Sequence, residues 1–274
     1  MTDTMQSHYG RPGIVERILE TLAEAGVDVD ALQVDDLGAF DEFHVGRREA
    51  SERLVPLLEV GKGASVLDVG SGIGGPARFI ANRTGAQVTG IDLTPEFVDA
   101  ADTLTQRVGL GDRVSFQLAS GTDIPFTDDH FDAATLMHVG MNIEDKATLI
   151  AEMARVTRPG GTVLVYDLMR VGEGELGYPM PWASSPDFSF VDRPAVYEQA
   201  AQAAGLVVVD RLDFSDLARN FFDPPKDAPA PPAASTAGDP ARATNPRATA
   251  TFQNARAAVQ SGLISPLALV LKSS

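Results

Sequence analysis

The sequence contains no cysteine among its 274 residues. This absence excludes disulfide bonds, zinc–thiolate sites, iron–sulfur clusters and a cysteine nucleophile. Acid–base or metal chemistry must therefore come from the four histidines and from the carboxylates.

Positively charged residues are also scarce. There are 22 Lys and Arg residues, of which four are lysine, against 38 Asp and Glu residues, which gives a formal net charge of −16 at pH 7. Affinity for nucleic acid depends mainly on cationic side chains that displace condensed counterions from phosphates. We therefore expect neither nucleic acid nor an anionic membrane as a partner.

Long apolar runs are missing as well. No run reaches the roughly 20 residues that a membrane span needs. Residues 1–10 are polar and lack the basic start and apolar block of a signal peptide. We therefore expect a cytoplasmic protein.

Two catalytic motifs are absent too. There is no H-E-x-x-H sequence, and His138 and the nearest acid, Glu144, lack the i, i+4 spacing of a metal site on a helix, so we expect no metal. The serine in Gly70-Ser71-Gly72 lacks the G-x-S-x-G frame of a nucleophile elbow, which excludes a serine hydrolase.

What the sequence does contain is an alternation of strand-like and helix-like segments. This order is typical of an α/β protein in which helices cover a mainly parallel, doubly wound sheet. Seven strands are predicted, at 65–69, 87–92, 113–118, 131–136, 162–168, 206–212 and 267–271, with helices at 14–25, 47–58, 76–83, 94–108, 144–157, 194–204 and 252–261.

The predicted domain organisation is a helical cap over residues 1–60, followed by one ligand-binding domain over residues 61–274. Residues 223–250 are rich in alanine and proline, a composition that favours an extended or mobile linker. A chain that leaves the sheet after residue 212 and returns at residue 267 favours an antiparallel last strand.

One segment carries a recognisable binding motif. Residues 66–78 read VLDVGSGIGGPAR, in which a buried strand ends in an acid, Asp68, and a glycine-rich turn with the spacing G-x-G-x-G. Pro76 suits the first turn of a following helix. Glycines let the backbone approach a ligand closely, and the start of a helix presents free N–H groups to an anion.

A second acid strengthens this interpretation. Asp92 ends the next predicted strand, about 20 residues on, where a carboxylate can accept both hydroxyl groups of a ribose. Together with the Arg158-Pro159-Gly160-Gly161 turn before the fifth strand, these residues resemble the class I S-adenosylmethionine (SAM)-dependent methyltransferases. The resemblance is greatest to the small-molecule enzymes that act on sarcosine or dimethylglycine, phosphoethanolamine, tocopherol and quinones.

The resemblance implies a Rossmann-like seven-stranded sheet with a reversed C-terminal β-hairpin, an N-terminal helical cap, and SAM as the cofactor across the carboxyl ends of the first strands. Asp68 would orient the ammonium group of SAM, Asp92 would hold its ribose, and Leu93 would lie against the adenine. Ser120 stands where the family usually has an aspartate that meets the adenine amino group. The full set of implied cofactor residues is Asp68, Gly70, Ser71, Gly72, Gly74, Asp92, Leu93, Ser120, Gly121 and Met137.

Two histidines are candidate proton acceptors. His138 lies just past the fourth strand, in the loop that faces the transferable methyl group in this family, although it could instead serve only in packing. His44 belongs to the run FDEFHVGR at residues 40–47, which is similar to the aromatic, His and Gly segment of sarcosine and tocopherol methyltransferases. Its alternative role is helix capping.

Five residues are predicted to contact the substrate: Tyr9, Phe43, Met141, Tyr178 and Trp182. The last two belong to a long loop between the fifth strand and the next helix, and loops of such length are usually functional. Tyr178 and Trp182 could line an apolar pocket or a pocket for a cationic amine. Alternatively, Trp182 only pins the loop to the core, and Tyr9 belongs to a mobile terminus.

The predicted function is transfer of a methyl group from SAM to an N, O or C nucleophile of a small metabolite, with His138 or His44 as the proton acceptor. Two alternatives stay open: a SAM-binding module without catalysis, and an NAD(P)-dependent oxidoreductase. Lipid cyclopropanation fits poorly, because a chain this acidic shows no basic face for a membrane. The acceptor cannot be named from the sequence.

Overall fold

The computed structural model describes residues 13–224 and 246–273. Its centre is a seven-stranded sheet with the strand order β3-β2-β1-β4-β5-β7-β6. The strands are β1 (Ser65–Val69), β2 (Gln87–Asp92), β3 (Val114–Leu118), β4 (Phe131–Met137), β5 (Thr157–Arg170), β6 (Leu206–Asp213) and β7 (Ile264–Ser273).

The strand directions place the carboxyl ends of six strands, β1 to β6, at one edge of the sheet. Strands β1 to β5 pair in parallel, and β7 runs antiparallel between β5 and β6. This arrangement confirms the predicted doubly wound α/β sheet with its reversed last strand. Because the chain order reverses between β1 and β4, a crevice forms at the carboxyl edge there, which is where such folds bind ligands.

Helices cover both faces of the sheet. They are α1 (Ile14–Glu24), α2 (Val34–Leu37), α3 (Arg47–Leu54), α4 (Gly75–Thr84), α5 (Pro95–Arg107), α6 (Lys146–Val156), α7 (Pro194–Ala203), α8 (Ser215–Phe222) and α9 (Pro246–Gln260). Short 3₁₀ turns occur at Val55–Leu58, Gly140–Asn142 and Pro186–Phe188.

The first three helices pack on the sheet's own helices and do not form a separate core. Ile18 and Leu22 of α1 are buried in one cluster with Phe97 and Leu104 of α5. Leu54 of α3 is buried in the cluster that also covers strands β1 and β2. The cap and the sheet therefore share apolar surface, while the predicted boundary at residue 60 stays a prediction.

Two predicted elements were wrong at their ends. The helix predicted over 47–58 stops at Leu54 and continues as a 3₁₀ turn, because Pro56 has no N–H to extend the α-helix. The Arg158–Gly161 turn is part of β5: Thr157 already pairs with Phe131 of β4, and the register shifts before Ala133.

The sequence interpretation missed α2 and α8 and misjudged the start of α9. In α8 the buried residues Leu217, Ala218 and Phe222 recur at helical spacing, so the pattern was present in the sequence. Helix α9 begins at Pro246, so the last five residues of the linker predicted at 223–250 are helical. Residues 225–245 lie outside the described residues. Within the described part of the chain, no helix combines the length and the apolar character that crossing a membrane requires.

Candidate active site at the carboxyl edge of the sheet

The glycine-rich turn after β1 adopts the backbone that its sequence predicts. Gly70, Gly72 and Gly74 have φ angles of 71°, 54° and 87°, in the left-handed region that favours glycine. A Cβ atom built on Gly70 would lie 2.4 Å from Cγ2 of Val139, in the loop after β4. Glycine is therefore required both for the turn and for its contact with the neighbouring loop.

Asp68, in β1, has one carboxylate oxygen that is paired and one that is not. Its Oδ1 accepts a hydrogen bond of 2.7 Å from Oγ1 of Thr135 in β4. Its Oδ2 is buried and has no hydrogen-bond partner within the described residues. Burial raises the pKa of Asp68 to about 7, and the nearby charge of Asp92 adds to the increase.

Asp92, at the end of β2, bridges two backbone segments. Its Oδ2 accepts a hydrogen bond of 2.9 Å from the N–H of Gly72, and its Oδ1 accepts one of 2.9 Å from the N–H of Thr94. Burial raises its pKa, although these hydrogen bonds oppose the increase. Asp92 thus fixes the glycine turn against the start of α5.

Three large apolar side chains are exposed around this edge. They are Leu93 after β2, Leu118 at the end of β3 and Phe43 before α3. The Phe43 ring lies near Gly72, 3.5 Å from a Cβ atom built there, and 6.0 Å from the ring of Phe97. The structure therefore places Phe43 beside the predicted cofactor residues. Leu118 was missed, although its position as the last residue of a parallel strand could have indicated it.

The loop after β3 is closed by its own hydrogen bonds. Ser120 Oγ lies 2.8 Å from Thr122 Oγ1 and accepts a hydrogen bond of 3.2 Å from the N–H of Thr122. A Cβ atom on Gly121 would lie 2.8 Å from Val69 of β1, so the loop packs directly on the neighbouring strand. Ser120 is already engaged locally, which leaves its predicted adenine contact as a prediction.

His138 follows β4 in a left-handed backbone conformation, with φ of 56°. Its N–H donates a hydrogen bond of 2.7 Å to the carbonyl oxygen of Tyr166 in β5, and the two rings lie 5.0 Å apart. The Nε2 atom of His138 is buried and finds no hydrogen-bond partner in the described chain. Burial holds the pKa of His138 well below its usual value, and the proximity of His44 lowers it further.

His44 lies beside His138, so the structure brings the two predicted proton acceptors together. Their ring centroids are 6.1 Å apart, and the His44 ring meets the Tyr166 ring edge-on at 5.8 Å. His44 Nε2 lies 3.0 Å from the carbonyl oxygen of Arg47. Burial lowers the pKa of His44 to about 4.

Three of the five predicted substrate residues lie in a separate apolar cluster. Met141 and Trp182 are both buried there, with Tyr178 packed against the cluster. Trp182 is 4% exposed, and its indole N–H donates a hydrogen bond of 2.9 Å to Oγ of Ser189 in the same loop. Trp182 therefore pins the loop to the core. Tyr9 lies outside the described residues.

Met137, the remaining predicted cofactor residue, is buried at the end of β4 as part of the central apolar core. It lies directly before His138 in the chain, so its backbone reaches the carboxyl edge while its side chain packs inside. Its contact with a cofactor stays a prediction.

Residues 67–165 match a protein-family model described as a methyltransferase domain. Over these residues the chain is similar to methyltransferase domains. The match begins in β1, just before the glycine turn, and ends in β5, so it includes the whole carboxyl edge from Asp68 to His138.

Curated proteins that are similar to this chain include named methyltransferases. The chain is 36% identical over 134 residues to the methyltransferase GfsG of Streptomyces halstedii, covering 49% of this chain and 48% of that protein. It is 41% identical over 104 residues to a probable chloroplastic tocopherol O-methyltransferase of Oryza sativa subsp. japonica, covering 38% and 29% of the two chains. The chain thus spans about half the length of the first relative and under a third of the second.

The similarity in fold extends beyond residues 67–165. A geranyl diphosphate C-methyltransferase from Streptomyces coelicolor A3(2), solved with Mg²⁺, geranyl diphosphate and S-adenosyl-L-homocysteine, superposes with a TM-score of 0.66. The similarity covers 97% of this chain and 99% of that one at 18% identity, which shows a shared fold. The predicted resemblance to class I SAM-dependent methyltransferases is confirmed by the family match and this fold.

A buried ion pair holds the segment before α3 against α4. The Arg78 guanidinium, fully buried in α4, donates a hydrogen bond of 2.8 Å to Oδ2 of Asp41 and one of 2.7 Å to the carbonyl oxygen of Ile73. The backbone of Asp41 also lies so close to Gly75 that a Cβ atom there would be 2.1 Å from its carbonyl oxygen. Sequence reasoning missed this pair, because 37 residues separate its members.

Replacement of Arg78 by methionine should destabilise the protein by about 3–5 kcal/mol, because it leaves the Asp41 carboxylate buried without its partner. The free energy of unfolding, measured with urea, checks the value. The double variant Arg78→Met, Asp41→Asn should recover part of the loss, and Arg107→Met, in the last turn of α5, serves as a control. An Arg78→Met variant as stable as the control would contradict the prediction.

Proposed function

We propose that the protein is a SAM-dependent methyltransferase that acts on an N, O or C nucleophile of a small metabolite. The observation that carries the proposal is the match of residues 67–165 to a methyltransferase domain, in which the glycine turn is flanked by the buried carboxylate of Asp68 and the partly buried carboxylate of Asp92. Names of similar proteins support the acceptor class, since they include O-, C- and N-methyltransferases of small molecules. Because the chain spans only part of those relatives, the activity and acceptor are proposed from the site.

The residues at the carboxyl edge fit SAM. The unpaired Oδ2 of Asp68 and the unpaired, buried Oγ of Ser71 are polar atoms without partners in the described chain, as expected beside a polar ligand group. Asp68 would accept from the ammonium of SAM, and Asp92 from its ribose hydroxyls. Leu93 and Leu118 are exposed apolar side chains against which the adenine would lie.

SAM, when bound, supplies an electrophilic methyl group on a positively charged sulfur. The chain must align an acceptor with that methyl group and remove a proton where the acceptor carries one. His138 suits proton removal, because its low pKa keeps the ring neutral at pH 7 and its Nε2 is buried without a partner in the part of the chain that the structure describes. We assign proton acceptance to His138, since His44 Nε2 is held by the Arg47 carbonyl.

The first test is binding. Isothermal titration calorimetry should show SAM binding by the full chain, and Asp92→Ala should weaken it about 10- to 100-fold, because the variant loses charged hydrogen bonds to the ribose and to the glycine turn. Glu96→Ala, on the exposed side of α5, is the matched control. No heat of binding with the wild-type protein would contradict the proposal.

The second test is turnover. With methyl-labelled SAM and a pool of small alcohols, phenols and amines, the wild-type protein should form S-adenosylhomocysteine and a labelled product. Binding of SAM without turnover on any acceptor would favour the non-catalytic SAM-binding module, and binding of NADH instead would favour an oxidoreductase. A cytoplasmic location and the exclusion of nucleic acid stay predictions from the composition.

A further inference from the structure

A buried polar chain leads from α3 to the histidine pair, and the mechanism above does not use it. Ser51 Oγ donates a hydrogen bond of 2.7 Å to Oε2 of Glu42 and lies 3.2 Å from Nε2 of His44. The side chains of Glu42 and His44 are both almost fully buried, and Ser51 has no exposed surface. Three polar side chains are thus kept together away from water, at a cost that needs an explanation.

The hydrogen-bond directions fix which nitrogen of His44 carries the hydrogen. The carbonyl oxygen of Arg47 can only accept, so His44 Nε2, 3.0 Å away, must be the donor. Because Ser51 gives its own hydrogen to Glu42, its oxygen is free to accept from the same N–H. The order of donation therefore runs from His44 to Ser51 to Glu42, and Nδ1 of His44 keeps the lone pair.

Glu42 is itself held by α3. Its Oε1 lies 3.1 Å from Nη1 of Arg48, and the Arg48 guanidinium stacks 4.2 Å from the centre of the Phe79 ring. Burial raises the pKa of Glu42 to about 7, while Arg48 and the Ser51 hydrogen bond oppose the increase. The ion pair and the serine together set the carboxylate 3.6 Å from His44 Nε2.

His44 in turn contacts the ring of the proposed base. The rings of His44, His138 and Tyr166 lie 5.0–6.1 Å from one another, and the Tyr166 hydroxyl donates a hydrogen bond of 2.8 Å to the carbonyl oxygen of Val45. The backbone next to His44 is thereby tied to the same tyrosine that packs on His138. A His44 ring that rotated or exchanged tautomers would disturb the orientation of His138.

We propose that Glu42 and Ser51 are positioning residues for the methyl-transfer site: together with the Arg47 carbonyl they hold the His44 ring in one orientation, so that His44 and Tyr166 hold the His138 ring in one orientation. The inference rests on the proposed function, because it gives His138 the role of proton acceptor. Carboxylates that orient a functional histidine through its far ring nitrogen act in the same way in metal sites and in the Ser-His-Asp triad.

The decisive variant is Ser51→Ala, because it removes the bridging hydroxyl, keeps the Glu42–Arg48 ion pair and introduces a good helix former into α3. We expect kcat to fall about tenfold, the lower end of the range for residues that orient a functional group. The Kd for SAM should stay within about twofold of the wild-type value. Glu42→Gln should have the same effect on kcat and on the Kd for SAM. The double variant Glu42→Gln, Ser51→Ala should lose no more kcat than either single variant, because both residues act through one hydrogen-bond chain.

The ring-nitrogen spectrum of His138 is the readout that a merely structural role would not move. Long-range ¹⁵N–¹H spectra of the ¹⁵N-labelled full chain should show Nε2–H for His44 in both the wild type and Ser51→Ala, because the Arg47 carbonyl still accepts from it. The ring-nitrogen signals of His138 should shift or broaden in Ser51→Ala, because the neighbouring His44 ring has lost one of its restraints. Glu49→Gln, on the exposed side of the same helix and paired with Arg53, is the control and should change neither kcat nor the spectrum.

The inference is overturned if Ser51→Ala leaves kcat within twofold of wild type, if kcat and SAM affinity fall by the same factor, or if the ring-nitrogen signals of His138 are unchanged. A different result contradicts the proposed function itself: a wild-type protein that neither binds SAM nor forms S-adenosylhomocysteine. The two failures are distinguishable, because the spectra need no turnover.

Discussion

Replacement of Asp68 by asparagine should weaken SAM binding by about 100-fold or more, because a buried cation would lose its carboxylate partner. The variant keeps the hydrogen bond from Thr135, since the asparagine oxygen can still accept it. It removes only the charge that would face the SAM ammonium. The Kd measured by calorimetry at pH 8 checks this expectation, with Glu96→Gln as the control. An Asp68→Asn variant that binds SAM within threefold of the wild-type Kd would contradict the assignment of Asp68 as the partner of the SAM ammonium.

The same residue predicts how SAM binding depends on pH. Burial raises the pKa of Asp68 to about 7 in the free protein, so at pH 6 most molecules carry a neutral carboxyl group. A bound ammonium favours the carboxylate, so binding below pH 7 must release a proton. Affinity should therefore rise with pH up to about 7 and level off above it, and this dependence should vanish in Asp68→Asn. Titrations in two buffers of different ionisation enthalpy count the protons released.

The stability of the ligand-free protein should depend on pH in the opposite direction to the SAM affinity: it should fall as the pH rises. Because the folded-state pKa of Asp68 lies above the unfolded value, protonation favours folding; this contribution is complete below about pH 4 and is lost as the pH rises through 7. The ligand-free Asp68→Asn protein should thus have a higher Tm than wild type at pH 8 and a similar one at pH 4. A lower Tm at pH 8 would show that the charged carboxylate is well compensated in the ligand-free protein.

Replacement of His138 by asparagine should lower kcat by about 10²- to 10⁴-fold, the usual contribution of a positioned general base. Asparagine tolerates the left-handed backbone that residue 138 adopts, so the loop after β4 should keep its shape. The Kd for SAM should stay within about twofold. His130→Gln, an exposed histidine before β4, is the matched control. A His138→Asn variant that keeps more than half of the wild-type kcat would mean that a different group removes the proton.

The pH profile gives an independent check on His138. A base must be neutral to accept a proton, and activity falls as the pH drops through its pKa. Burial and His44 lower the pKa of His138 well below 6.5, so the acid side of the kcat profile should fall only well below that pH. A fall centred at pH 6.5 or above would mean that a different group limits the rate.

Much of the fold could be predicted from the sequence, because the sequence patterns that specify it are local. The buried run at residues 65–69 and the glycines at 70, 72 and 74 each specify a backbone conformation without help from distant residues. Once parallel strands are expected, their carboxyl ends must meet at one edge. The strand pattern alone therefore places Asp68, Asp92 and His138 near one another.

The element boundaries that were predicted wrongly depend on contacts with residues that are distant in the sequence. Residues 158–161 read as a turn because they contain proline and two glycines, yet Thr157 pairs with Phe131 and so the strand begins earlier. Trp182 is predicted to contact the substrate because it is a large aromatic residue in a long loop, and that contact stays a prediction. Its burial among residues of α8 and α9 is decided by packing that the loop sequence does not encode.

The missing cysteines and the excess of acidic residues restricted the chemistry by themselves, since a side chain that is absent can supply no thiolate and a scarcity of cations gives little affinity for phosphates. The sequence alone also determined the glycine turn, because its backbone angles are a property of glycine. Only the tertiary structure decided that Glu42, Ser51 and His44 form one hydrogen-bond chain beside His138. Hydrogen bonds need atoms within about 3 Å and correct donor directions, and the packing of α3 against the sheet sets both.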